Sequence, residues 1–173
     1  MDIKKSQVNQ LTIKTDGLDP IKVFTESFYH DLFDNYAGCM TIVCFNKAWT
    51  ARWGAMGKDT PTVEEFVQRC DNDYIIKNLD SQMQTTEIDT SRMVEDAKKT
   101  IIRRRREEDL CKETARNLFE LADRLDILEN DECLLCEIYG DDWWGVLPTC
   151  PSSEYEYLTK ITETVRNAFA LKT

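Results

Sequence analysis

The chain has a single histidine, His30, among its 173 residues. That removes most histidine-based catalysis and most mixed zinc sites. His30 stands beside Asp31, but no nucleophile elbow, phosphate-cradling loop or metal triad accompanies the pair, so it founds no enzyme. No apolar run approaches the roughly 18 to 20 residues of a membrane-crossing helix. The stretch Met1 to Gln7 lacks the apolar centre of a secretion signal. A cytoplasmic protein without membrane partners is therefore expected. There is no internal repeat and no low-complexity segment. Most unusually, nine Asp and Glu but no Lys or Arg occur from Asp126 through Thr159.

What is present belongs to a soluble globular protein. A content of 42% hydrophobic and 31% charged residues excludes a disordered chain, and the length suits one domain or one domain with a small appendage. The seven cysteines are an odd number, mostly inside apolar patterns. Free, buried thiols in a reducing compartment fit this better than a disulfide framework. Net charge is −10, unevenly spread. Residues 61–90 carry two bases against seven acids, whereas residues 91–108 carry seven bases against four acids. One basic helix thus stands against a long acidic tract.

Periodicity predicts an α+β fold. Leu11 to Thr15 alternates and leaves through Asp16 and Gly17, as a strand does. Ile21 to Phe28 is ambiguous: Asp19 and Pro20 would open a helix, but Val23, Phe24 and Thr25 favour a strand. The strand is preferred, followed by a turn or short helix over 29–35. Met40 to Phe45 is apolar on both faces, the pattern of a central strand covered on two sides. After a reversal at Asn46 and Lys47, Trp49, Ala51 and Trp53 share one face, with Thr50 and Arg52 opposite. An antiparallel meander of three or four strands follows.

Thr60 as N-cap with Pro61 next predicts a helix burying Val63, Phe66, Val67 and Cys70. A short helical turn is expected over 73–79. Residues 91–108 form a helix with Met93, Ala97, Ile101 and Ile102 inward. Residues 112–128 form another, burying Ala115, Leu118, Phe119, Ala122, Leu125 and Leu128. A brief helix runs from Glu132 to Tyr139 and stops at Gly140. Ser153 and Glu156 make a capping box for the last helix, whose inner side carries Leu158, Ile161, Val165, Ala168 and Phe169. The expected organisation is a sheet with one or two helices over 1–80, a polar linker over 81–90, and a helical part over 91–173 packed with the first as one unit.

The run from Cys44 to Gly57 contains the pattern W-x-A-x-W-G-A-M-G, and Thr62 to Phe66 and Asp73-Tyr74 follow it. On these residues the chain resembles small accessory proteins of tailed phages and prophages of enteric bacteria. The resemblance spans Leu11 to Leu79. It implies a role in host takeover, replication support or counter-defence in the bacterial cytoplasm, and it brings no catalytic residue.

Four places carry candidate sites. Trp49 and Trp53, with Gly54 and Gly57, would form either a base-stacking platform or part of the core; core packing is the preferred reading. Lys98, Lys99, Arg103, Arg104, Arg105 and Arg106 would contact phosphates, although four consecutive arginines splay around a helix axis. Cys133 and Cys136 have C-x-x-C spacing without a second pair, so buried structural cysteines are favoured over a metal. Finally, Asp141, Asp142, Trp143 and Trp144 lie between Gly140 and Gly145. Adjacent tryptophans cannot both point inward from a regular element, so one anchors the core while the other meets a partner, or both cap a bundle. With Asp131 and Glu132 these four residues form the preferred interaction surface. The expected function is non-enzymatic, without metal or cofactor: binding a host protein with a basic surface, in its sharpest form by nucleic-acid mimicry. The alternative is a small nucleic-acid-binding regulator using Arg103 to Arg106 and the tryptophan strand.

Overall fold

Alternation in the first third of the chain becomes an antiparallel meander. A computed structural model describes residues 7–171 and pairs four strands in sequence order: β1 (Asn9–Ile13), β2 (Ile21–His30), β3 (Asn35–Cys44) and β4 (Lys47–Gly57). Register places Val23 opposite Ile42 and Ile42 opposite Trp49. One face is thereby filled by Ile21, Val23, Met40, Ile42, Trp49, Ala51 and Trp53, all buried. The ambiguous 21–28 segment is a strand, because its alternate positions complete this face. The loop after it is a plain turn over 31–34.

The W-x-A-x-W-G-A-M-G pattern has a structural explanation. Between Gly38 opposite Trp53 and Tyr36 opposite Gly57 the register shifts, so β4 carries extra residues there. The slip leaves both Gly54 and Ala55 exposed and returns Met56 to the core. A β-bulge of this kind is what breaks the two-residue period of the motif. Trp49 and Trp53 are core residues, 8% and 3% exposed.

Three helices cover that face. They are α1 (Val63–Arg69), α2 (Asn72–Leu79) and the long α7 (Ser153–Ala170), and their Val63, Val67, Ile75, Leu158, Ile161 and Val165 share one core with the strands. Gly38 permits the approach of α1. A Cβ there would fall on Val63 Cγ2 and 2.5 Å from the Glu26 carbonyl oxygen.

Several boundaries depart from the sequence expectation. The start expected at Thr60 moves to Thr62, whose Oγ1 accepts from the Glu65 amide at 3.2 Å; Thr60 is buried and accepts from Arg69 Nη1 at 2.8 Å instead. Within this unit the helices lie on one side of β3, not two. Thr41 and Val43 on its other side are half-buried, and Thr41 bonds across to Thr50 at 3.0 Å. Ser153 is the first helical residue of α7, not its cap.

The remaining chain forms a second unit. Contacts divide the molecule into Met1–Gln84 with Ser153–Thr173, and Thr85–Ser152. The last helix therefore belongs with the sheet, and the helical unit is an insertion between α2 and α7. The expected linker is not featureless: β5 (Thr86–Ile88) lies within it and pairs with β6 (Thr149–Pro151). The Ser152 amide donates to the Thr85 carbonyl at 3.0 Å, tying the two ends of the insertion together. Between them run α3 (Thr90–Arg106), α4 (Lys112–Leu121), α5 (Leu125–Leu128) and α6 (Glu132–Tyr139). The helix expected over 112–128 is two, because the backbone turns at 122–124. Met93, Ala97, Ile101, Leu118, Leu128, Leu135 and Ile138 form the core. Ile102 lies outside it, 43% exposed, and the side chain of Leu125 lies outside the described residues. Among those residues no helix is long and apolar enough to cross a membrane.

Candidate functional site

The tryptophan loop is held at both ends. Asp131 opens α6 by accepting the Leu134 amide at 3.0 Å, and Glu132 suits the first turn, where helix amides favour negative charge. Leu134, Leu135 and Ile138 bury the helix. At its far end the chain leaves through Gly140 at φ +94°, a backbone conformation that side chains rarely adopt. Arg104 of α3 donates to the carbonyls of Glu137 and Ile138, at 2.6 and 3.1 Å, and so satisfies the last turn of α6. Tyr139 donates to Asp96 Oδ2 at 3.1 Å. Burial, then the Asp96 charge, raises the Tyr139 pKa well above the usual phenol value.

From this base the loop projects a 3₁₀ turn, Trp143–Gly145. Trp143 is half-buried against the unit's core. Trp144 is 65% exposed and stands edge-on to it, ring centroids 6.0 Å apart. One tryptophan is thus an anchor and the other is displayed. Val146, which the sequence reading did not single out, is 56% exposed beside them. Asp141 and Asp142 are exposed, and no ion pair engages either among the described residues.

The basic helix divides by role. Arg104 is committed to α6. Lys98 pairs with Asp123 and lies 5.0 Å above the Phe119 ring. Arg105 faces the Leu110 carbonyl at 3.5 Å. Lys99, bonded to Glu95 at 2.6 Å, joins Arg103 and Arg106 with Ile102 along one exposed stripe, where they line a shallow groove of about 370 Å³. The acidic tract is also less isolated than its sequence implies. Arg104 reaches its α6 backbone, Arg124 pairs with Asp126 at 3.2 Å, and Lys47 pairs with Glu154 at 2.5 Å.

Among the described residues no group of three or more His, Cys, Asp or Glu is placed to hold a metal. Cys133 is exposed and Cys136 half-buried; Leu134 and Leu135 take the buried positions expected of the cysteines. His30 packs at a tilt against Phe33, ring centroids 4.7 Å apart. A cavity of about 250 Å³ between the sheet edge and α1 is lined by Leu11, Val23, Thr25, Glu64 and Phe169. Its Glu64 carboxylate accepts the Thr25 hydroxyl at 2.5 Å, a contact that joins helix to sheet.

Residues 1–170 match the family model Phage_phiTE_072, described as a phage family. The chain belongs to this phage family. Membership extends over both units, well beyond the Leu11 to Leu79 span on which the resemblance rested. No curated protein and no solved structure matches the chain. For this phage protein Trp49 and Trp53 of the bulged strand are core, and the displayed tryptophan, Trp144, lies in the inserted unit.

Proposed function

We propose that this phage protein is a non-enzymatic accessory factor that binds a host protein through the Gly140–Val146 loop. The observation that carries the reading is Trp144, 65% exposed on a loop whose neighbours are fixed by Arg104, Tyr139 and Trp143. A large aromatic displayed from a pre-ordered loop loses little entropy on binding and suits an interface centre. Asp141 and Asp142 beside it favour a partner with a basic face, which would speed association and fix orientation. Host proteins that handle DNA or RNA carry such faces, so counter-defence or host takeover by nucleic-acid mimicry is the specific form. The setting is the cytoplasm of an enteric bacterium infected by a tailed phage. Glu132 contributes to this surface, while Asp131 serves mainly as a helix cap.

The test is capture of a host partner on the tagged full chain, followed by kinetics with the purified partner. Replacing Asp141 and Asp142 by Asn should slow association and blunt its salt dependence. Trp144→Ala should mainly speed dissociation, by about tenfold or more if it is a hot spot. Unchanged kinetics for both variants would end this reading.

A second reading rests on Lys99, Arg103 and Arg106 sharing one exposed stripe, which supports phosphate contact. Ile102 within that stripe and a net charge of −10 weigh against it. It requires nucleic-acid binding that falls steeply with salt and is lost in Arg103→Ala and Arg106→Ala together.

A further inference from the structure

Large apolar side chains exposed singly need no explanation, but clusters do. Besides the Trp144 loop, the first unit carries a cluster at the β2–β3 hairpin tip. Leu32 is 87% exposed, Phe33 71% and Tyr29 46%. Local bonds brace the tip. The Phe33 amide donates to the His30 carbonyl at 3.1 Å, and the Phe33 ring packs at a tilt against His30. Tyr29 packs edge-on against Tyr36, ring centroids 5.1 Å apart, and donates its hydroxyl to Asp34. Lys58 pairs with the same carboxylate. Asn35 Oδ1 accepts from the Gly57 amide at 2.8 Å, bracing the hairpin against β4. Asp34 itself adopts φ +46°, a left-handed turn position that Asp tolerates better than most residues.

We propose that this hairpin tip is a second docking element, which inserts Leu32 and Phe33 into an apolar pocket with a basic rim on a partner protein. Two exposed apolar side chains on a pre-ordered turn form a compact wedge, and ordering costs at binding are small. The charges select the occupant. Residues 28–35 contain no Lys or Arg; Asp34 and the neighbouring Lys58 offset each other in an ion pair, which leaves the Asp31 carboxylate as the tip's net charge. An anionic lipid surface would be repelled, since surface-binding segments rely on Lys and Arg. Two tips from two copies would bring like carboxylates together. A protein pocket edged by Lys or Arg meets both the apolar wedge and the Asp31 carboxylate beside it.

The test replaces Phe33 by benzoylphenylalanine in the full chain and irradiates host cells making it. One discrete protein adduct is expected, with the cross-linked peptide lining an apolar pocket that has Lys or Arg at its edge. That adduct should vanish with Leu32→Ser and persist with Leu171→Ser, a change at another highly exposed apolar residue. With the cross-linked partner purified, Leu32→Ser should weaken binding of the otherwise unaltered chain by about tenfold or more. Asp31→Lys should slow association, most at low salt. Leu32 projects into solvent, so an unchanged melting temperature will verify folding of that variant. An adduct to lipid or to a second copy, the lack of any discrete adduct, or unchanged affinity in Leu32→Ser would overturn the proposal. The Trp144 loop enters none of these measurements, so either docking surface can fail without the other.

Discussion

The Tyr157 hydroxyl lies 3.3 Å from Cys44 Sγ, across 113 positions of sequence. Cys44 in turn donates to the Asp19 carbonyl at 3.5 Å. With the thiol proton so directed, the tyrosine is the donor to sulfur. The last helix is thereby bonded to the third strand of the first unit, which makes the intervening residues an insertion.

This contact has a pH signature. The bond to Cys44, then burial, pushes the Tyr157 pKa from 10.0 up to about 12. A folded value above the unfolded one means the contribution to stability is complete below about pH 10 and is lost as pH rises towards about 12. Ultraviolet titration should show Tyr157 among the tyrosinates that appear late, with Tyr139 another, and the late amplitude should fall by one tyrosine in Tyr157→Phe. A single ordinary titration for every tyrosine would contradict the contact.

The tryptophan strand should behave as core. Trp49→Ala or Trp53→Ala should each cost about 3 to 5 kcal/mol, as for other buried large aromatics. The Trp53 indole N–H has no hydrogen-bond partner among the described residues, so Trp53→Phe loses no bond and should cost much less. Urea unfolding of the three variants will decide. A platform for bases would instead leave stability nearly unchanged.

Gly38 is the point where α1 meets the sheet. Because an added Cβ would meet the Val63 side chain and the Glu26 carbonyl, Gly38→Ala should destabilise by about 1 to 3 kcal/mol through overpacking. Gly54→Ala, with open space around its Cβ position, is the control. Equal melting temperatures for the two variants would refute the close approach.

The four arginines should separate by role. Arg104→Ala removes two bonds to carbonyls at the end of α6 and should cost about 1 to 2 kcal/mol, allowing for solvent access. Arg103→Ala and Arg106→Ala, on the exposed stripe, should stay within about 0.5 kcal/mol of the parent. Denaturant midpoints measure all three. A similar loss at each position would mean the run acts as one electrostatic block.

Local chemistry wrote much of this fold into the sequence. Strand alternation from Trp49 to Trp53, the stop of α6 at Gly140 and the buried stripe of α7 depend on neighbours a few residues apart, so periodicity exposes them. The division of labour between Trp143 and Trp144 was also legible in principle, since adjacent side chains diverge. Non-local contacts decided the rest. Whether Ile21 to Phe28 is strand or helix depended on β3 lying beside it. The placement of α7 required Leu158, Ile161 and Val165 to meet the sheet across the whole insertion. The lack of basic residues after Asp126 suggested an uncompensated tract, yet Arg104 reaches it from α3 and Lys47 from β4. Sequence order conceals such pairings because a charge is neutralised by what is near in space, not along the chain.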